Sequence, residues 1–244
     1  MKIYLDERKT DELRKKLVDK WEQISLYGDP HREYIIREES HARGDEYHVS
    51  DLIMCPMKKI CQVSGLPRSV AKRAITMMLS GIVAQKLIQW LYTLKESEYE
   101  ALIVGVAVGH VDVFESFMYP LEAKFSRKKI LKREDLPQYW CRQLVSYISM
   151  VDKEKGWIIV INIFTSDIMA WCIEMNEEER SSQRKAITEA VKTLNYAINT
   201  KDYLKLFIHP SEYDFCQYRY VCPRRGECKA RATRKIVKKD PLNS

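Results

Sequence analysis

The feature that most constrains the fold of this chain is a change of hydrophobic period in its middle. The runs "ALIVGVAVGHVDVFESF" and "MYPLEAKFS" are rich in Val and aromatic residues and are broken by Gly, Ser and Pro, which is typical of three or four β-strands. After a run with helical spacing come "WIIVINIF" and "IMAWCIEM", which predict a strand pair around the polar "TSD". With helical runs on both sides, this order predicts a mixed α/β core flanked by helices.

Apolar residues at helical spacing predict the flanking elements. One of these helices opens with Ser50 as a cap and closes at the turn Gly65–Pro67, and a later helix is expected to stop at Gly156. The predicted helical segments are residues 1–30, 48–67, 69–94, 136–156 and 177–200.

The charge of the chain bears on its partners. Lys and Arg outnumber Asp and Glu by 41 to 34, for a formal net charge of +7. From Arg219 to Ser244 there are nine basic residues against Glu227 and Asp240, which suits either a polyanion such as nucleic acid or a solvated terminus. No apolar run is long enough to cross a bilayer and the chain does not open with a signal peptide, so we expect a cytoplasmic protein with no membrane partner.

Two acids and a lysine interrupt the apolar strands. On a strand, Glu122 and Lys124 point to the same face, and Asp112 on the preceding strand can meet them if the two segments pair. Two converging carboxylates need a cation between them, and hard oxygen ligands select Mg²⁺ or Mn²⁺. A lysine beside that ion can activate water, which suits hydrolysis of a phosphodiester. The alternative is an exposed cross-strand pair with no function.

Polar residues on the next helix strengthen the interpretation as a site. Gln143 and Tyr147 are four positions apart and therefore share one helical face. Together, "GHVD", "LEAKF" and "QLVSY" resemble the G-x-x-D, E-x-K and Q-x-x-x-Y motifs of RecB-like nucleases in the PD-(D/E)xK superfamily. The resemblance implies a restriction-endonuclease-like mixed sheet flanked by helices. It also implies Asp112, Glu122 and the Ala123 carbonyl as metal ligands, Lys124 as the catalytic lysine, and Gln143 and Tyr147 as positioning residues.

The chain departs from that family at one metal ligand. The family usually carries G-x-x-x-H in the helix before the strands, whereas this sequence has "GIVAQ", ending at Gln85. A glutamine carbonyl can ligate Mg²⁺, although it binds Mn²⁺ less tightly than imidazole does. His110, which shares a strand face with Asp112, is the other candidate for this place.

Five of the seven cysteines lie at the two flanks of the chain, whereas Cys141 and Cys172 sit among apolar neighbours and are expected to be inert. In a cytosolic protein, cysteines grouped in this way more often bind zinc or an iron–sulfur cluster than form disulfides. Disulfides are the alternative if the protein comes from a hyperthermophile. The five candidates are Cys55, Cys61, Cys216, Cys222 and Cys228.

One lineage of RecB-like nucleases holds an iron–sulfur cluster with one Cys before the core and three after it. "SDLIMCPMKKIC" and "CQYRYVC" are similar to its opening and closing motifs, but its third closing Cys would fall at Tyr213. The resemblance implies Cys55, Cys216 and Cys222 as ligands with Cys228, or alternatively Cys61, as the fourth, and favours 4Fe–4S over 2Fe–2S. Nearby, Arg219, Arg224 and Arg225 are predicted to contact phosphates, and Tyr218 and Tyr220 either stack on bases or pack around the cluster.

Some members of this lineage are parts of helicases, whereas this chain of 244 residues has no nucleotide-binding P-loop motif. Within the lineage, the chain therefore looks most like the CRISPR-associated exonuclease of spacer acquisition. The resemblance implies a metal-dependent DNA exonuclease acting on single-stranded ends, with the CRISPR integrase complex or further copies of itself as partners. The alternative is a catalytically weak DNA-binding or assembly subunit. The expected regions are an N-terminal helical extension, a cluster-linked helical region, the nuclease core and a Cys-rich basic segment, at 1–50, 51–100, 101–200 and 201–244.

Overall fold

The protein is described by a computed structural model that covers residues 1–27, 47–53, 55–67, 83–84, 87–88, 91, 97–103, 107–115, 119–162, 164–165, 167–206, 216 and 218–230. The strands are β1 (Lys2–Leu5), β2 (Ser97–Ile103), β3 (Ala107–Glu115), β4 (Tyr119–Ser126), β5 (Lys155–Asn162) and β6 (Ile168–Glu174). The helices are α1 (Glu7–Tyr27), α2 (Val49–Ile53), α3 (Met57–Val63), α4 (Gln138–Met150) and α5 (Glu177–Thr200), with a short 3-10 turn at Arg133–Asp135.

The strands form one mixed sheet, in the order β1-β6-β5-β4-β3-β2. β4 and β5 run parallel, and every other described pair of neighbours is antiparallel. The predicted mixed α/β core with flanking helices is therefore confirmed. α4 provides the crossover between the two parallel strands, as such a connection requires.

β1 was not predicted, because the helical pattern was extended back to the first residue. Its residues pair antiparallel with β6, from Lys2 opposite Glu174 to Leu5 opposite Trp171. The helix starts after Asp6, whose Oδ1 accepts the backbone N–H of Lys9 at 2.9 Å and so satisfies one of the free donors of the first turn. The helical prediction over residues 2–5 is wrong, and these residues belong to the sheet.

Helices cover both faces of the sheet. On one face, Leu13 of α1 packs with Leu121 and Ala123 of β4 and with alternate residues of β5 and β6. On the other face, Leu144 and Ile148 of α4 pack with the intervening residues of β5 and β6. Strands buried on both sides have no polar face, and this explains the continuous apolar runs of β5 and β6.

Most of the helix predicted over residues 69–94 lies outside the described residues. Residues 83, 84, 87, 88 and 91 are helical, and Ala84, Ile88 and Leu91 are buried against the α1 face of the sheet. Their spacing is that of one helical face. None of the described helices is long and apolar enough to cross a membrane.

Two predicted helix boundaries are wrong. The helix expected over residues 136–156 ends at Met150, and Gly156 lies inside β5. A Cβ at Gly156 would meet the Pro120 carbonyl oxygen at 2.7 Å, so this glycine permits close approach of strands rather than ending a helix. Residues 48–67 form two short helices, with Ser50 inside α2, and the predicted turn is present at Gly65, where φ is +65°.

Candidate active site and cysteine cavity

The candidate active site lies where β3 and β4 stop pairing. The described ladder runs from Glu115 opposite Tyr119 to Val113 opposite Leu121, so the next opposed positions are Asp112 and Glu122. At this point the Asp112 side chain replaces the backbone as the hydrogen-bond acceptor, since its Oδ2 accepts the backbone N–H of Ala123 at 2.7 Å. A carboxylate thus accepts the hydrogen bond that a backbone carbonyl would accept in a regular ladder, and the β3–β4 ladder ends beside it.

Glu122 is the most buried acid of this site, with 1% of the residue exposed. Its Oε1 forms an ion pair with the Lys124 ammonium, whereas its Oε2 has no hydrogen-bond partner among the described residues. Burial raises the pKa of Glu122, and the charge of Lys124 only partly opposes this effect. A buried carboxylate oxygen without a partner is costly, so the site is suited to an added cation.

Lys124 links the acids to α4. Its Nζ donates to Glu122 and also to Gln143 Oε1 at 3.1 Å, and Gln143 Nε2 donates to the Tyr147 hydroxyl at 2.9 Å. Burial disfavours the charged ammonium, but the carboxylates of Glu122 and Asp112 outweigh burial and raise the pKa of Lys124. The lysine therefore stays protonated and can act as a donor.

Gly109, in the "GHVD" run, sets how closely α4 approaches β3. A Cβ at this position would lie 2.9 Å from Tyr147 Cε1 and 3.0 Å from Met150 Sδ. The ring of Tyr147 therefore rests directly on the strand backbone, and its residue is only 3% exposed. The glycine thus positions the helical face that carries Gln143.

The structure brings together the five residues that the sequence predicted as catalytic: Asp112, Glu122, Lys124, Gln143 and Tyr147. Two further candidates are not placed. Gln85 lies outside the described residues, and only the backbone of His110 is described, in β3. Within the described ranges, no three His, Cys, Asp or Glu side chains form a metal-binding group.

Tyr139 is a site neighbour that the motifs did not indicate. It lies in the first turn of α4, four positions before Gln143, and its hydroxyl contributes to raising the pKa of Lys124. Its ring contacts Trp140 edge-on, with centroids 6.0 Å apart. The i, i+4, i+8 spacing of Tyr139, Gln143 and Tyr147 was the available signal, because it places all three on one helical face.

A second polar cluster lies where α3 meets the C-terminal segment. The five flanking cysteines line one cavity together with Lys58, Arg219, Arg224 and Arg225. None of the seven cysteines, all of which lie within the described residues, forms a disulfide bond. The Cys61 thiol donates to Cys222, and this bond, with help from Arg224, lowers the pKa of Cys222 to about 6. A low thiol pKa favours the thiolate that metals bind.

The predicted DNA contacts in this segment fare differently. Tyr218 is 1% exposed and lines the cysteine cavity, so its ring packs in the interior and offers no face to a base. Arg224 donates to the carbonyls of Tyr203 and Leu206 and pairs with Glu227, which ties its guanidinium to the protein. Its role as a phosphate contact stays a prediction.

The other two arginines of this segment lie closer to solvent. Arg225 is exposed and donates to the Tyr220 carbonyl at 2.7 Å. The Arg219 guanidinium is half-buried and lies 4.6 Å from the centre of the Tyr220 ring. Their roles as phosphate contacts stay predictions.

No protein-family model matches the chain, and no curated protein matches it. Among solved structures, the chain is similar to one described as "Crystal structure of SSO0001", with 18% sequence identity and a TM-score of 0.49. The similarity covers 87% of this chain and 95% of that chain. At this identity and TM-score it supports no inference about what the chain does.

Proposed function

We propose that the protein is a metal-dependent deoxyribonuclease of the RecB-like PD-(D/E)xK type. The observation that carries this proposal is the buried Glu122 Oε2, which has no hydrogen-bond partner among the described residues and lies beside an ammonium that the Asp112 carboxylate also stabilises. The carboxylate oxygens of these two acids are the hard ligands that Mg²⁺ or Mn²⁺ prefers. The resemblance of "GHVD", "LEAKF" and "QLVSY" to the family motifs supports the same conclusion.

In this proposal Asp112, Glu122 and the Ala123 carbonyl hold the metal. When bound, the ion supplies charge stabilisation at the phosphate and lowers the pKa of a bound water. Lys124, kept protonated by the two acids, donates a hydrogen bond that orients the attacking water. Gln143 holds the Lys124 ammonium in place, and Tyr147 in turn orients the Gln143 amide.

The cysteine cavity is proposed to hold an iron–sulfur cluster, with 4Fe–4S favoured over 2Fe–2S. Cys55, Cys216 and Cys222 are the expected ligands, with Cys228 or Cys61 as the fourth. Thiols that share one cavity with basic side chains fit a ligand set of negative thiolates. Because Cys55 and Cys216 are far apart in the chain, a cluster between them would close a large loop and stabilise the fold.

The biological setting follows from the resemblance alone. We propose a cytoplasmic exonuclease that trims single-stranded DNA ends in CRISPR adaptation, acting with the integrase complex or as a homo-oligomer. The alternative function is a catalytically weak DNA-binding or assembly subunit of a CRISPR or viral DNA-processing complex. It is kept because "GIVAQ" has glutamine where the family usually has a histidine ligand.

Cleavage of end-labelled single-stranded DNA in Mn²⁺ tests the proposal. Wild type is compared with Glu122→Gln, Lys124→Met and the control Glu154→Gln, which alters a surface carboxylate bonded to Tyr119. We expect activity in wild type and control and a loss of about a hundredfold or more in the two site variants. Equal cleavage by all four proteins would remove these residues from the chemistry, and binding without cleavage by wild type would favour the alternative.

A further inference from the structure

A basic segment follows the strand that carries Glu122 and Lys124. It is called here the basic loop and comprises residues 127–133. Its five basic side chains, all exposed, are Arg127, Lys128, Lys129, Lys132 and Arg133. Among the described residues, Lys129 is the only one of the five with an ion pair, to Asp167 at 3.8 Å. Most of this charge is therefore available to a partner, although Glu134 and Asp135 follow directly.

The backbone of the basic loop is held in place at both ends. The Ser126 hydroxyl accepts the Lys128 N–H at 3.1 Å and donates to the Lys128 carbonyl at 2.6 Å. Ile130, in its middle, is 4% exposed and packs into the core beneath α4. At the far end the Lys132 N–H donates to Asp135 Oδ2 at 3.2 Å. A loop anchored in this way presents its charges without a large ordering cost on binding.

The basic loop also connects the two elements that build the candidate active site. It begins three positions after Lys124, and α4 starts five positions after its end, with Tyr139 in the first turn. Gln143, which holds Lys124, is one turn further along the same helix. A polyanion lying on the loop is therefore beside the site.

We propose that the basic loop binds the phosphate backbone of a DNA strand and guides it to the site of Asp112, Glu122 and Lys124. This inference rests on the proposed function. The sequence predicts the DNA contacts at the C-terminal segment instead, but there Tyr218 is buried and Arg224 donates hydrogen bonds to the protein. The basic loop offers the DNA strand a second binding surface. Non-specific strand binding needs clustered cations, and the loop provides them.

The test compares two triple variants, each of which removes three positive charges. The loop variant is Arg127→Gln/Lys128→Gln/Lys132→Gln, and the control is Lys15→Gln/Lys185→Gln/Lys192→Gln, at exposed positions of α1 and α5. Affinity for a fluorescent single-stranded oligonucleotide is measured by anisotropy over a range of NaCl concentrations, in the Glu122→Gln background to prevent cleavage. Cleavage rates are measured in parallel in the Glu122 background.

We expect the loop variant to bind about tenfold or more weakly and the slope of log K against log[salt] to fall by about 2 units, as loss of three phosphate contacts predicts. The control should stay within about twofold of its parent. Equal losses in the two variants, or no DNA binding by the parent, would overturn the inference. If wild type cleaves DNA and the loop variant behaves as the control does, the inference fails while the proposed function stands. If the Glu122→Gln parent binds DNA through the loop but wild type does not cleave it, the proposed catalysis fails and the binding role of the loop stands.

Discussion

The Asp112 carboxylate accepts the backbone N–H of Ala123 at 2.7 Å, across the point where β3 and β4 stop pairing. One acid therefore has two tasks, because it satisfies a strand donor and supplies charge to the candidate metal site. The two tasks can be separated, since an amide oxygen accepts the same hydrogen bond without the charge.

Asp112→Asn is expected to abolish Mn²⁺-dependent cleavage while leaving the melting temperature nearly unchanged. Asp112→Leu should lose activity and also stability, by about 1–3 kcal/mol, because the Ala123 N–H is left without its acceptor. Cleavage assays and thermal denaturation of the two variants give the comparison. If Asp112→Asn retained activity, the charge of this residue would not serve the reaction.

Gly109→Ala should destabilise the protein by about 1–3 kcal/mol, since the added methyl overlaps the Tyr147 ring and forces α4 away from β3. Activity should fall as well, because Gln143 moves with the helix. Gly226→Ala is the matched control, since nothing lies within 4 Å of its added Cβ. Chemical denaturation checks both variants, and equal stability for the two would contradict the close packing of Tyr147.

Tyr147→Phe keeps the ring that packs on Gly109 and removes the hydroxyl that accepts from Gln143. A lost hydrogen bond of about 0.5–1.5 kcal/mol corresponds to a rate decrease of about 2–10-fold, provided the bond acts through positioning. We expect that decrease in the single-turnover cleavage rate, with little change in melting temperature. A large loss of stability instead would assign the hydroxyl to folding.

Removal of the proposed iron–sulfur cluster should lower the stability of the protein as well as its visible absorbance. Cys222→Ser, or chelation under anaerobic conditions, is expected to reduce bound iron and lower the melting temperature by about 5 °C or more, because binding energy of the group is also folding energy. Cys141→Ser, which lies outside the cavity, is the control and should keep its iron. Full thermal stability of cluster-free protein would contradict the stabilising role.

The ion pairs of Asp152 predict a small dependence of the free energy of unfolding on pH. Hydrogen bonds from Arg184 and Arg180 hold the pKa of Asp152 below its usual range. A lowered pKa in the folded state adds stability above the ordinary value of about 3.9, and this stability is lost as pH falls through the folded value. Because Asp152 is largely exposed, Asp152→Asn should cost less than about 1 kcal/mol at pH 7, and the difference from wild type should shrink below about pH 4.

Melting temperatures of wild type and Asp152→Asn across this pH range provide the measurement. Glu189→Gln is the control, since its pair with Lys192 is exposed on both sides and is expected to contribute almost nothing. A difference between wild type and Asp152→Asn that grew towards acid pH would contradict the assigned direction.

The strongest sequence predictions concerned elements whose period is unmistakable. The segment predicted as a helix over residues 177–200 is α5 with the same bounds, and Asn176 caps it by accepting the Glu179 N–H at 2.9 Å. β5 and β6 were predicted within two residues of their ends. The catalytic candidates were found because charges inside apolar strands are costly and so stand out from their surroundings.

The errors concern relations between residues far apart in the chain. Nothing in "KIYL" indicates that it pairs with β6, some 170 positions away, because register depends on what edge is available to it. The same applies to Gly156, whose role is a close approach to Pro120.

The sequence by itself determined the mixed α/β class, the period of each strongly patterned element and the residue types of the candidate site, because these follow from local spacing and from the cost of burying charge. Only the tertiary structure decided that Asp112 accepts the Ala123 N–H, that Glu122 keeps one oxygen without a partner among the described residues, and that the basic loop joins β4 to α4 beside them. Those relations arise from the packing of separate segments, and no local pattern encodes the position at which a strand ladder stops.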